Sequence, residues 1–291
     1  GGRGLPAGAA ELRRLWAQGL YASAALLLTL GALWCLQGWQ GWAGLRAANA
    51  RLPRWQRLPD SAALEAWLFG AHRRIMVHGR RVAVTMSSLE RDFAMDTFLV
   101  SRCGQTHRLL TACFLHNGVF HALFNLGSLY SMAPLESGAR GAYLSTFLLA
   151  GIGGNATFLL AGGGGRALGA SGAVCGLLGY ELVSRLRLRQ ARELRSVARQ
   201  ALGVLVLGAL LPGVCNLAHA GGLATGVLVA VAVSPRSGYR RPLLPWPLLL
   251  LGLCCWAPVR SFLATLPGAL ALGASEPGAL GAGRVVVATV R

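Results

Sequence analysis

Gly169-Ala170-Ser171-Gly172-Ala173-Val174-Cys175-Gly176-Leu177-Leu178-Gly179 opens an apolar stretch with a serine hydroxyl where a membrane-spanning helix is expected to begin. Gly172, Gly176 and Gly179 recur at i, i+4 and i+7, so that helix has one bare face for close packing. Asn216-Leu217-Ala218-His219-Ala220-Gly221-Gly222 opens a second apolar stretch, and Gly222 and Gly226 follow His219 along another small-residue face. If the two bare faces meet, the His219 imidazole reaches the Ser171 hydroxyl. The spacing therefore predicts a nucleophile and its base on two helices, a pairing that serves attack on carbonyls.

A third stretch, His116-Asn117-Gly118-Val119-Phe120-His121-Ala122-Leu123-Phe124-Asn125, supplies further polar groups inside an apolar run. His121 and Asn125 are four residues apart and share a helix face. Both carry side-chain donors able to stabilise an oxyanion, alongside the unpaired amides and positive end of the helix that starts at Ser171. His116, about 140° away on a continuous helix, is expected to face elsewhere in a structural hydrogen-bonding role.

Composition points to the membrane. The chain is 54% hydrophobic and 13% charged, where soluble domains run near about 25% charged. Its formal charge of +18 would suit nucleic acid if the basic residues formed one patch. They cluster instead between apolar stretches, as membrane topology requires, so no nucleic-acid partner is expected. All 28 basic residues are arginine. The seven cysteines form no C-x-x-C pair and no H-E-x-x-H is present, so neither a metal nor any other cofactor is expected.

Apolar segments at about 20–38, 109–132, 142–161, 170–188, 198–214 and 216–234 predict an all-α, polytopic membrane protein with six spans. A short, proline-flanked seventh candidate, Leu243–Trp256, either crosses the bilayer or lies in its interface. Arg13 and Arg14, the run Arg185 to Arg199, and Arg236, Arg240 and Arg241 fall on one face of a six-span bundle with its N-terminus inside. The expected organisation is an arm over 1–19, a membrane domain over 20–234, and a basic linker and tail over 235–291. The long loop 40–108 interleaves Trp42, Trp55 and Trp67 with Arg46, Arg51, Arg54 and Arg57, which suggests segments in the headgroup layer. Residue 1 is Gly rather than Met, so the start is expected to be trimmed or incomplete.

Absences narrow the chemistry. Aspartate occurs only at 60, 92 and 96, all in the long loop, which excludes an aspartyl dyad within the spans. A proton-coupled transporter needs a carboxylate near the bilayer midplane. Glu136 is expected in a short loop, and Glu181, four residues before Arg185, in a surface ion pair.

Taken together, H-x4-H-x3-N, G-x-S-G and A-H-x-G-G-x-x-x-G, in this order over about residues 100–235, resemble the rhomboid intramembrane serine proteases. The wording around the motifs is more similar to plastid and bacterial rhomboids than to the mitochondrial type. The resemblance implies a six-helix core with a Ser–His dyad: Ser171 as nucleophile, His219 as general base, His121 and Asn125 in the oxyanion hole. It implies substrates that are transmembrane helices of membrane proteins, cut at small residues where the helix unwinds. The expected location is a multi-pass site in a plastid membrane, with the bacterial inner membrane and the mitochondrion as alternatives. Oligomeric state is left open.

Two departures from the family pattern stand out. Cys175 occupies the position, one turn after the serine, where an aromatic ring often stacks on the histidine. His107-Arg108 replaces a Trp-Arg pair. The alternative reading is accordingly a catalytically inactive rhomboid-like protein that binds client helices.

Overall fold

The computed structural model describes residues 7–50, 54, 57, 59, 61–69, 74–77, 80–83, 87–139, 142–162, 165–210 and 214–233. The candidate seventh helix and the tail lie outside them. A short arm, α1 (Ala7–Ala17), turns at Gly19 into the long α2 (Tyr21–Ala50). The connecting region holds α3 (Ser61–Phe69), the antiparallel pair β1 (Arg74–Val77) and β2 (Arg80–Ala83), α4 (Ser88–Phe93), β3 (Met95–Asp96) and α5 (Thr97–Cys103). Next come α6 (Arg108–Thr111), a 3₁₀ turn Ala112–Phe114, α7 (Val119–Met132), α8 (Pro134–Ala139), α9 (Ala142–Leu160) and β4 (Arg166–Ala167). The bundle closes with α10 (Ser171–Arg187), α11 (Ala191–Leu210) and α12 (Asn216–Val233).

The chain is an α-helical, polytopic membrane protein. Three stretches are long and apolar enough to cross a bilayer: Tyr21–Arg46, Ala142–Leu160 and Asn216–Val233. The pair Arg108–Phe114 and Val119–Gly138 makes a fourth, bent by 92°. The 17-residue α10 is slightly short, and Arg192, Glu193, Arg195 and Arg199 occupy the first half of α11. Length and composition thus support three to four crossings among the described residues.

The bend corrects the expectation of one continuous helix over 109–132. Gly118, at φ 87°, starts a new helix rather than extending the old one. His116 lies before the break, so it does not face away: its ring packs edge-on against His121 with centroids 5.5 Å apart. The first apolar helix likewise runs well past the expected end at residue 38.

Glycine sets the packing of the inner trio, α9, α10 and α12. A Cβ at Gly226 would collide with the carbonyl of Gly176, and one at Gly179 with the carbonyl of Leu223. On α9, a Cβ at Gly154 would lie 2.6 Å from the Ala218 carbonyl oxygen. Backbones this close exclude side chains and gain dense van der Waals contact, which holds helices together where lipid removes the hydrophobic drive. Tyr143, Phe147 and Leu177 of the trio, with Leu129 of α7 and Leu30 of α2, fill the core.

Contacts between helix ends define two poles. At one, Glu136 of α8 accepts hydrogen bonds from the Ala22 and Ser23 amides, both 2.8 Å, and from the Ser23 hydroxyl, 2.7 Å. Glu136 is therefore in a helix, not a loop, and caps α2 from outside. Arg187 donates to the Ala230 carbonyl there, 3.2 Å, at the end of α12. Glu181 and Arg185 pair at 3.0 Å, as their spacing suggested, but with Glu181 largely buried. At the opposite pole Asn216 Nδ2 donates to the Leu205 carbonyl, 2.9 Å, and Gln37 meets His116.

Candidate active site

Ser171 is the first residue of α10, preceded by Gly169 at φ 128°. That angle strains any residue with a Cβ. Gly169 is needed twice over, because a Cβ there would also lie 2.6 Å from His121 Nε2. Its amide donates to the Ala112 carbonyl, 2.9 Å, and the amide of Val174 returns to Ala170, 2.9 Å. The amides of Ser171, Gly172 and Ala173 have no partner within the helix, as at any helix start, and leave a positive end at the serine.

His219 sits in the first turn of α12, 5% exposed. Its Nε2 lies 2.8 Å from Ser171 Oγ. A hydroxyl that donates to Nε2 requires the proton of the neutral ring on Nδ1. That nitrogen is buried and no described residue accepts from it. Carboxylates are absent from the pair, and among the described residues no aromatic ring stacks on the imidazole; Cys175 is itself buried on α10. The ring is held by its burial and by the hydrogen bond to Ser171, with the glycine contacts of α10 and α12 setting the distance between the two helices.

His121 and Asn125 fall on one face of α7, as their spacing predicts. His121 lies against Gly169, two residues before the serine. Its Nδ1 is 3.5 Å from the Asn117 amide; as acceptor there, it leaves the proton on Nε2, the nitrogen turned toward Gly169. Asn125 is less directly placed. Its Nδ2 donates to the His121 carbonyl of its own helix, 2.9 Å, leaving one amide hydrogen unused. His116 hydrogen-bonds through its backbone rather than its ring: Gln37 Oε1 accepts from its amide, 3.1 Å, and Gln37 Nε2 donates to its carbonyl, 3.3 Å. Both ring nitrogens are buried without partners among the described residues.

Several residues that hold the site have no sequence signature. β3 pairs with β4, Met95 opposite Ala167 and Asp96 opposite Arg166, which staples the long loop to the segment leading into Ser171. The Thr97 amide donates to the Gly165 carbonyl, 3.1 Å, and Arg166 to the Glu90 carbonyl, 2.7 Å. Met95, fully buried, packs in one cluster with Ala112, Phe158 and Ala218, the residue before His219. Buried Arg108 gathers the loop by donating to Gln105 Oε1, 2.7 Å, and to the carbonyls of Arg91, 3.0 Å, and Ala94, 2.8 Å. Asn155 of α9 donates to the Leu109 carbonyl, 2.8 Å. Trp67 stacks on Trp34 of α2, with centroids 4.6 Å apart. The stretch read as lying in the headgroup layer is thus partly docked on the bundle.

An apolar, glycine-packed bundle that brings a part-buried serine hydroxyl against a buried histidine near one pole sets this chain among helical, membrane-embedded proteins. Residues 103–236 match the Rhomboid domain family, so this stretch of the chain is a rhomboid domain. It is 31% identical over 161 residues to RHOMBOID-like protein 1 of Arabidopsis thaliana, covering 52% of this chain and 41% of that protein. Identity to the Rhomboid protease GluP of Bacillus subtilis is 32% over 152 residues, 50% of this chain and 29% of GluP. RHOMBOID-like protein 6, mitochondrial, of Arabidopsis thaliana is 30% identical over 161 residues, 53% of this chain and 52% of the relative. The chain spans about half or less of the length of these relatives.

Proposed function

We propose that this chain is an intramembrane serine endopeptidase that cleaves transmembrane helices of membrane-protein substrates without a cofactor. The observation that carries the reading is the 2.8 Å separation of Ser171 Oγ and His219 Nε2 at the start of two glycine-locked helices. Ser171 transfers its proton to His219 Nε2 as Oγ attacks the scissile carbonyl carbon. The oxyanion forms beside the amides that open α10, with His121 Nε2–H and the remaining Asn125 Nδ2–H as side-chain donors. His219 then gives the proton to the leaving amine, and the same ring activates a water that hydrolyses the acyl-enzyme and restores Ser171. Substrates are membrane helices whose small residues let the chain unwind enough to reach the serine. The membrane domain extends over 20–234, in a six-span arrangement with the arginine-rich pole inside; a plastid membrane is the location favoured by the wording around the motifs.

A second reading, a rhomboid-like protein that binds client helices without cutting them, draws on the unpaired His219 Nδ1 and the cysteine at 175. One experiment separates the two. Purified protein in detergent is treated with a fluorophosphonate probe, comparing wild type with Ser171→Ala and His219→Ala. Labelling of wild type that vanishes in both variants supports the protease; a folded wild type that neither labels nor cleaves a model transmembrane helix supports the client-binding protein.

A further inference from the structure

We propose that the inner half of α11 is a binding site for the phosphate headgroups of anionic phospholipids. Arg192, Arg195 and Arg199 fall, together with Leu202 and Val206, within about 80° on one face of this helix. All five are exposed on the bundle, Leu202 by 61% and Val206 by 50%. The face is one continuous strip, basic over its first two turns and apolar beyond.

Two neighbouring arginines are engaged with protein groups. Arg185 donates to Glu181 and to Gln190 Oε1, and Arg187 to the carbonyls that end α12. Among the described residues no carboxylate pairs with Arg192, Arg195 or Arg199. Glu193, the one acidic residue of α11, is about 100° around from Arg192 and off the strip.

Lipid is the occupant that matches both halves. Acyl chains lie along Leu202 and Val206, and the strip climbs toward the headgroup layer, where guanidinium forks take phosphate oxygens two at a time. Arg199 lies about 10 Å along the axis from Arg192, so it sits deepest and draws a phosphate inward while its stem covers apolar surface. Three positive charges that no carboxylate pairs with among the described residues favour a headgroup of net negative charge over a zwitterionic one, whose ammonium they repel. Orientation alone would be served by arginines in the turn; it does not require three of them aligned with the lipid-facing strip.

The full chain in detergent is stripped of lipid, then titrated with phosphatidylglycerol or phosphatidylcholine, and bound lipid is counted by native mass spectrometry. Wild type is expected to prefer phosphatidylglycerol by about tenfold, the attraction of exposed arginines being screened by salt. The triple variant Arg192→Gln, Arg195→Gln, Arg199→Gln is expected to lose that preference, and Arg13→Gln with Arg14→Gln to keep it. Equal binding of the two lipids by wild type, retention of the preference by the triple variant, or its loss in the Arg13 and Arg14 control would overturn the proposal. Thermal melting reports folding of each variant. If the triple variant does not fold, the three single substitutions serve: each is expected to weaken the preference severalfold, and no change in any of them overturns the site.

Discussion

Gly222 of α12 meets Gly172 of α10 so closely that a Cβ on Gly222 would lie 2.7 Å from the Gly172 carbonyl carbon. Gly172 directly follows Ser171, and Gly222 stands one turn past His219, so this contact lies beside the 2.8 Å gap between Ser171 Oγ and His219 Nε2. Backbone cannot rotate away as a side chain can. Gly222→Ala is therefore expected to push α10 and α12 apart, at about 1–3 kcal/mol of stability. A displacement approaching an ångström costs reaction rate by about a hundredfold. Fluorophosphonate labelling and thermal melting check both expectations. Gly203→Ala on α11 is the control: a Cβ there meets nothing within 4 Å, and the helix gains about 0.5–1 kcal/mol. Equal behaviour of the two variants would show that the glycine contact does not set the dyad.

His107 gives the loop ahead of the bundle a pH dependence of known sign. Burial pulls its imidazole below the ordinary value; the bond to the Asp92 carbonyl opposes this, and the Arg108 charge adds to it. Folded His107 thus stays neutral where an unfolded histidine, titrating near about pH 6.5, takes up a proton. Its contribution is present above that pH and is lost as pH falls toward the lower folded value. Thermal midpoints measured at neutral and mildly acidic pH are expected to fall further in wild type than in His107→Gln. Parallel curves would remove His107 from the acid response.

Arg108 is buried, no carboxylate among the described residues forms an ion pair with it, and its three hydrogen bonds end on Gln105 and on the carbonyls of Arg91 and Ala94. Bonds from a charged donor are worth about 1.5–3 kcal/mol, and unpaired carbonyls add to the loss. Arg108→Gln is expected to free the loop 87–103 while leaving the inner helices folded. Hydrogen exchange should then speed in that loop, and over Arg166 and Ala167 paired to it, with α9, α10 and α12 unchanged. Faster exchange throughout the bundle would mean that Arg108 supports the whole fold rather than the loop.

How much of this was legible in the sequence depended on the range of the interaction. The bare faces of Gly172, Gly176 and Gly179 and of Gly222 and Gly226 could be read from helical spacing, and so could their encounter. The shared face of His121 and Asn125 followed from the same period, whereas Asn125's turn back to the His121 carbonyl depends on a rotamer that no spacing encodes. The break at Gly118 was hidden because an apolar run of the right length looks like one span; a glycine at positive φ, not hydropathy, decides it. Glu136 read as a loop residue because its partners, Ala22 and Ser23, lie more than a hundred residues away. The two-residue ladder of β3 and β4 is too short to leave an alternating pattern.

Gln37 shows what such a long-range contact is worth. Buried in the middle of α2, it returns both hydrogen bonds of the His116 backbone, 3.1 and 3.3 Å, where the chain breaks before α7. A leucine fills the same space and satisfies neither group, so Gln37→Leu should cost about 1–3 kcal/mol for each one left unpaired. Gln37→Glu keeps the acceptor for the amide but sets a carboxylate oxygen against the carbonyl, so a buried charge or a bound proton is forced on the site and it should cost at least as much as leucine. Because His121 follows the break by one turn, labelling of Ser171 is expected to slow in the order wild type, leucine, glutamate. Thermal melting with labelling rates checks the series. If stability falls in that order while labelling stays constant, Gln37 holds the fold but does not position His121.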